Sequence, residues 1–486
     1  MAAAPVPVHL GAALEGLAEN PALPMRLARR LVANRTDRVA RRADLTADLI
    51  NEIIATDSAA LLHSLALNRH LPNAVRLRLA RHPNPAVRAA LVIAGRDVSA
   101  ELFERLINDP DKWVRECLAQ SDHAPACLRA RLVHDPDPEV RATLAQWWPQ
   151  APEELRRILL TDPVDQVRAA ACSTYYRRLP HPVPPTDLLP RLLDDPVTRA
   201  GAVKHAALTT QMAQRLANDP DYQVRGQLAQ HPQLPASLRD QLADDSNASV
   251  RIGVFARPDT PEPQRHEIYF GILRGDSSRI DHLAEDLDQE ALLQTAEDFI
   301  AGTELRNLCL EWVTADPLPY ASSPYVCFRR SAACSRSLPE HAVLRLLNDG
   351  ESIVRTTMAR HAPHLVDPAT AERIDRDFRP EKKTSWRPAD DFTFPSQTLR
   401  RFASDSDPRM RCLAPRDPDL PADLAEQLAA DPEASVRRAV AAHPLLPEHA
   451  IVTLLSDEDE RVTRAAAGSP FLPMPEMERL LTFAGL

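Results

Sequence analysis

Apolar residues along this chain recur four apart in short runs. Val140 and Leu144 form one such pair, as do Leu128 and Leu132, Leu155 and Leu159, Leu238 and Leu242, and Leu424 and Leu428. Residues i and i+4 stand above one another on an α-helix, so each run predicts one apolar helical face. The runs come in two kinds. The first kind opens with Asp or Asn three residues before a valine (Asn84, Asp111, Asp137, Asp221 and Asn247), side chains suited to capping a helix N-terminus. In several of these Pro85, Pro138 or Pro408 occupies the first helical position, where no N–H is needed. The second kind starts at Pro125, Pro152, Leu234-Pro235 or Leu420-Pro421. The pattern therefore predicts two short helices per unit, punctuated by proline.

The units repeat. An Asp-Pro step, a capping residue and then Val-Arg recur from Asp109-Pro110 to Val114-Arg115 and from Asp135-Pro136 to Val140-Arg141. They return at Asp162-Pro163, Asp219-Pro220 and Asp431-Pro432. Degenerate copies end at Arg88, Arg251, Arg355 and Arg411. Val87, Val114, Val140 and Val167 are 27, 26 and 27 apart, and positions 410, 436 and 462 keep the 26-residue step. Neither helix of such a unit buries its apolar face alone, so the units must stack. The expected fold is all-α, an α-solenoid of short helical repeats with a period of about 26 residues.

Composition narrows the function. Only 12 glycines stand against 45 prolines, where ordinary chains carry about 7% and about 5%. Phosphate loops, dinucleotide turns and nucleophile elbows all need glycine, and none of their motifs is present. The net charge is −10, which disfavours nucleic acid as a partner, although residues 1–100 hold 13 arginines against 8 acidic residues. Neither a secretory signal nor a membrane span is expected. Seven dispersed cysteines without a CxxC pair read as reduced thiols of a cytoplasmic protein.

The phrase at 216–238, Leu-Ala-Asn-Asp-Pro-Asp-Tyr-Gln-Val-Arg-Gly-Gln-Leu-Ala-Gln-His-Pro-Gln-Leu-Pro-Ala-Ser-Leu, resembles the leucine-rich repeat variant, and the array is also similar to HEAT repeats. The resemblance covers about 60–250 and 326–482, with weaker traces in 20–60. It implies a right-handed solenoid of alternating α and 3₁₀ helices. The founding type of the variant family holds an iron–sulfur cluster on N-terminal cysteines. No cysteine precedes Cys117 here, so that cofactor is not carried over and none is expected.

On this reading residues 1–60 are capping repeats with an Arg-rich face, and 61–257 are regular repeats. Residues 258–325 form an irregular spacer, helical over Glu262 to Leu273 and Asp281 to Ile300. Repeats resume over 326–365, an insertion loop with a short helix around Ala369–Asp377 fills 366–394, and C-terminal repeats occupy 395–486. The Arg column (88, 115, 141, 168, 225, 251, 355, 411, 437) is preceded in most units by an Asp six residues earlier, and the two predict an ion-pair ladder between neighbouring units.

No catalytic constellation is found. His266-Glu267 lacks the second histidine of a zinc helix, and the His-Pro histidines occupy a repeated corner. The expected function is that of a non-catalytic scaffold binding a protein partner through a concave surface. Candidate partner-binding residues are Trp113, Trp147 and Trp148; Arg26, Arg29, Arg30, Arg38, Arg41 and Arg42; and Lys382, Lys383 and Trp386 of the insertion. Two alternatives come from other classes. One is a HEAT-like DNA-binding protein or DNA glycosylase, similar to bacterial alkylpurine glycosylases. The other is a chaperone or lyase-like helper for a cofactor or peptide.

Overall fold

A computed structural model describes residues 7–95, 99–175, 182–280, 300–379 and 386–486, and the side chains of all of these except 275–280. Among the described residues every regular element is helical, as the apolar pattern predicts. The predicted caps form. Asp111 accepts from the Trp113 N–H, Asp221 from Gln223 and Asn247 from Ser249. Pro85 and Pro408 stand in the first turn of their helices. The Asp281 to Ile300 expectation falls, apart from Ile300 itself, outside the described residues. The predicted short helix of the insertion is Pro368–Asp377.

The chain divides into two compact units, one made of Met1–Val140 and Phe394–Leu486, the other of Arg141–Thr393. In the first, the opening helices of successive repeats lie against one another: Ala59–Ala66 on Pro85–Ala94, and Pro85–Ala94 on Lys112–Gln120. The N-terminal helix Leu10–Glu19 packs on Glu460–Ala467 near the other end of the sequence, and the turn Asp37–Arg41 lies between Leu10–Glu19 and Ala59–Ala66. The N-terminal repeat thus continues the C-terminal one. Asn20 makes this plain, since its buried Nδ2 donates to the carbonyls of Ala467 at 3.0 Å and Ser469 at 2.6 Å. One repeat further on, Asn68 Nδ2 donates to Ala40 at 2.9 Å and Arg42 at 2.8 Å. A bond that normally joins consecutive repeats here joins the two ends of the sequence.

In the second unit, Arg199–Val203, Tyr222–Ala229, Ala248–Phe255 and Glu262–Ile280 pack in series, and Val326–Ala333 lies on Ser352–His361. One cluster of aromatics forms where the repeat register lapses. Phe255 and Phe328 have ring centroids 5.4 Å apart, and Tyr269 and Tyr325 lie 4.9 Å apart. Trp312 Nε1 donates to the Ala256 carbonyl at 2.9 Å, and the Tyr325 hydroxyl to Glu262 at 2.7 Å. Repeats on either side of the irregular stretch are therefore packed directly together by large side chains, worth more buried area per residue than the Leu, Ala and Val elsewhere.

The Arg–Asp ladder runs through both units. Along it an arginine reaches an aspartate 20 to 27 residues on: Arg88 to Asp109, Arg115 to Asp135, Arg141 to Asp162, Arg168 to Asp195 and Arg225 to Asp245, with N–O distances of 2.7 to 2.8 Å. Arg355 pairs with Asp377, Arg411 with Asp431 and Arg437 with Asp457. Arg199 and Arg329, outside the recurring phrase, join it through Asp219 and Asp349. The Nη1 of most of these also donates to the carbonyl six residues earlier in its own repeat, as Arg115 does to Asp109 at 2.7 Å. The carboxylate accepts from the backbone N–H two residues on, as Asp135 does from Asp137. Both partners are thus held by backbone at each repeat, and the pair fixes how one repeat sits on the next.

Candidate functional site

Two clefts of the second unit flank the helix over residues 300–307. One, of about 800 Å³, is bordered by Thr303, Arg306, Asn307, Arg330, Ser352, Thr356, Arg360, Phe378, Arg379 and Trp386, among others. The other, of about 540 Å³, is bordered by Tyr222, Arg225, Ser249, Arg251 and Ile300. Both volumes fall in the range of ligand-accepting clefts. Ser249 Oγ donates to Glu304 at 3.0 Å and ties the dividing helix to Ala248–Phe255.

Helical spacing builds the larger cleft. Ser352, Thr356 and Arg360 are four apart on one face of Ser352–His361, and Thr303 and Asn307 are four apart on the opposite wall. The Thr356 and Thr357 hydroxyls donate to carbonyls of their own helix at 2.7 Å, so they shape the wall more than they offer protons. The charged lining is four arginines, Arg306, Arg330, Arg360 and Arg379, against two glutamates, Glu304 and Glu351. Trp386 closes one side. The Arg360 guanidinium lies 4.5 Å from its ring centroid, Phe378 meets it edge-on at 5.4 Å, and its Nε1 donates to Asp391 at 3.3 Å.

The smaller cleft exposes a break in the ladder. Arg251 keeps the two backbone bonds that anchor a ladder arginine, donating to Asp245 at 2.6 Å and Ser246 at 2.9 Å. Its next-repeat carboxylate is missing among the described residues, and position 271, twenty residues on, is glycine. Neighbouring Arg225 retains its partner, with Nε 2.7 Å from Asp245. Arg251 is thus a pre-positioned guanidinium with no carboxylate partner among the described residues, beside exposed Tyr222 and Ile300.

The sequence-derived candidates fall in different places. Trp386 lies in the larger cleft, whereas Lys382 and Lys383 lie outside the described residues. Trp113 belongs to the first unit and is 44% exposed, while Trp147 and Trp148 belong to the second and are half-buried. Most of the N-terminal arginines are engaged within the first unit: Arg26 with Glu478, Arg29 with Glu52, and Arg38 with Glu15 and Glu19. Arg30 donates to the Leu486 carbonyl. Arg42 is buried and donates to the Asn20 carbonyl at 2.6 Å; Arg41 is exposed at the same corner. Their charges chiefly fasten the N-terminal repeat to its neighbours.

The corner histidines have a structural task. His231 Nε2 donates to the Ala206 carbonyl at 2.9 Å and Nδ1 accepts from Gln233 N–H at 3.2 Å; His443 does the same with Asp417 and Leu445. A carbonyl accepts only from a protonated nitrogen, so these bonds set the Nε2–H tautomer. His266 lies against Phe270, ring centroids 4.4 Å apart and planes tilted by 47°. Among the described residues no three His, Cys, Asp or Glu side chains cluster as metal ligands, and no helix is long and apolar enough to cross a membrane.

Arg251 and the four arginines of the larger cleft would have been hard to single out beforehand, because Arg251 carries the same repeat phrase as its paired neighbours. The sequence signal is glycine at position 271, twenty residues on, the spacing at which Arg115, Arg225, Arg411 and Arg437 have their acid. No protein-family model matches the chain, and no curated protein sequence matches it.

Proposed function

We propose that the chain is a right-handed α-solenoid with a period of about 26 residues, working as a non-catalytic scaffold that holds an acidic segment of a protein partner. The segment lies on the second unit along the two clefts flanking 300–307. Arg251 carries this reading. Its guanidinium is anchored like every ladder arginine but has no next-repeat carboxylate among the described residues, and an Asp or Glu of the partner completes the ladder there. Arg306, Arg330, Arg360 and Arg379 supply charge complementarity farther along, and Trp386 a flat apolar wall. A bidentate arginine–carboxylate bond gives orientation as well as affinity.

The test compares Arg251→Ala with Arg225→Ala, using a short fluorescein-labelled Glu-rich peptide and its Lys-rich counterpart in fluorescence anisotropy. Arg251→Ala should weaken acidic-peptide binding about ten-fold or more, in line with the strength of a charge-assisted hydrogen bond, and cost less stability than Arg225→Ala, since it breaks only the bonds to the Asp245 and Ser246 carbonyls. Arg225→Ala should lower stability by breaking a ladder pair. Equal binding by wild type and Arg251→Ala overturns the reading, as does tighter binding of a single-stranded oligonucleotide than of the acidic peptide.

A further inference from the structure

We propose that Cys309 and Cys334 form a peroxide-reactive thiol pair, in which Cys309 is the attacking nucleophile and Cys334 the resolving thiol. The pair stands apart from the peptide-binding reading and does not rest on it.

The two sulfurs are 3.9 Å apart although 25 residues separate them in sequence. Both sides of Cys309 are tied to the helix Val326–Ala333, which Cys334 terminates. On one side Arg330 Nη1 donates to the Asn307 and Leu308 carbonyls. On the other, Leu310 N–H donates to Ser331 Oγ at 2.9 Å, and Thr314 Oγ1 to the Ser331 carbonyl at 3.0 Å. The sulfurs are therefore preset, and closing to a bond of about 2.05 Å requires side-chain movement rather than a new backbone path.

Chemistry separates the roles. Cys309 is exposed, while Cys334 is half-buried at the helix end. The Cys334 thiol beside it, with help from the Arg330 guanidinium, brings Cys309 down to about 6, and Cys309 in turn pushes Cys334 up. The thiolate is the nucleophile toward oxidants, and an accessible thiolate next to a second thiol is the arrangement from which sulfenic acids resolve to disulfides. Buried Cys172 and Cys327, by contrast, are pushed up to about 12 by burial.

In the first step the Cys309 thiolate attacks hydrogen peroxide. An S–O bond forms, the O–O bond breaks, and the departing oxygen takes a proton and leaves as water. In the second, Cys334 sulfur attacks the Cys309 sulfenic sulfur, the S–S bond forms, the S–O bond breaks, and a second water leaves with the Cys334 proton. The two sulfurs together lose two electrons, and one peroxide becomes two waters.

The experiment treats the full-length protein with substoichiometric hydrogen peroxide, quenches with iodoacetamide and maps peptides by mass spectrometry. Wild type should yield a peptide cross-linked between Cys309 and Cys334 before Cys117, Cys127 or Cys412 is oxidised. Cys334→Ser should trap a dimedone adduct at Cys309, and Cys309→Ser should leave Cys334 unreacted. Alkylation of Cys309 in unoxidised wild type should run about ten-fold faster than that of glutathione at pH 6, the gain in thiolate fraction being partly offset by lower intrinsic nucleophilicity. Oxidation of the other thiols before any 309–334 cross-link overturns the proposal without reference to any variant. A sulfenic acid at Cys334 in Cys309→Ser, formed at the wild-type rate, overturns the assignment of roles.

Discussion

Gly16 and Arg464 touch backbone to backbone: a Cβ placed on Gly16 would stand 2.0 Å from the Arg464 carbonyl oxygen. Arg464 in turn bonds Glu19 through Nη2 at 2.9 Å, so the N-terminal helix crosses Glu460–Ala467 in closest contact where its side chain is smallest. Gly16→Ala must push the helices apart. Overpacking a close contact costs about 1–3 kcal/mol, and the loss should appear as faster amide exchange confined to Leu10–Glu19 and Glu460–Ala467. Unchanged exchange in both helices would show that the contact does not hold the ends together.

The Asn20 bonds allow a direct comparison between the seam and a covalently continuous junction. Asn20→Ala strands the carbonyls of Ala467 and Ser469, and Asn68→Ala strands those of Ala40 and Arg42. Leaving buried acceptors unpaired costs about 1–3 kcal/mol each, so both variants should lower the denaturation midpoint of the first unit by similar amounts. A silent Asn20→Ala beside a costly Asn68→Ala would mean that the seam is open in solution.

The ladder should be strongly coupled. Arg88 and Asp109 are both buried, with Nε and Nη2 each 2.7 Å from a carboxylate oxygen. Arg88→Ala leaves Asp109 charged and unpaired, a change that costs about 3–5 kcal/mol. Arg88→Met with Asp109→Asn retains an acceptor for the Asp111 N–H and removes the stranded charge, so much of the loss should return. A double-mutant cycle by urea denaturation measures the coupling, and a value within about 0.5 kcal/mol of zero would remove the pair from the account of stacking.

What the sequence could and could not disclose follows the same division. The helices, their caps and the arginine column are legible because each depends on residues within one repeat, four, three or six positions apart. The seam is not: Asn20 fills the same corner slot of the repeat phrase as His231, and nothing local tells that its partners lie about 450 residues away. The N-terminal arginines show the same limit: Arg26 reads as free positive charge until Glu478 is found beside it. Cys309 and Cys334 are likewise two scattered thiols in sequence and neighbours only across a repeat junction. Local chemistry is written in the repeat, whereas the contacts that distinguish this chain from a generic array are between repeats.

Acid sensitivity should come from the ladder. Burial alone would raise the carboxyls of Asp162, Asp245, Asp431 and Asp457, but hydrogen bonds from Arg141, Arg225, Arg411 and Arg437, with backbone N–H groups adding to them, hold all four below the usual carboxylate range. A carboxyl depressed in the folded state stabilises it fully above the unfolded value of about 3.9 and loses that contribution as pH falls through the folded value. Helicity followed by circular dichroism should therefore hold from pH 7 to about 5 and collapse below about 4. Arg437→Gln removes the guanidinium from Asp457, so its carboxyl rises and the acid transition moves to higher pH. Arg251→Gln strands no carboxylate among the described residues and removes only a minor attraction on Asp245, which keeps Arg225, so it should move the transition far less. If both variants unfold in acid at the wild-type pH, carboxylates outside the ladder set the acid limit of this fold.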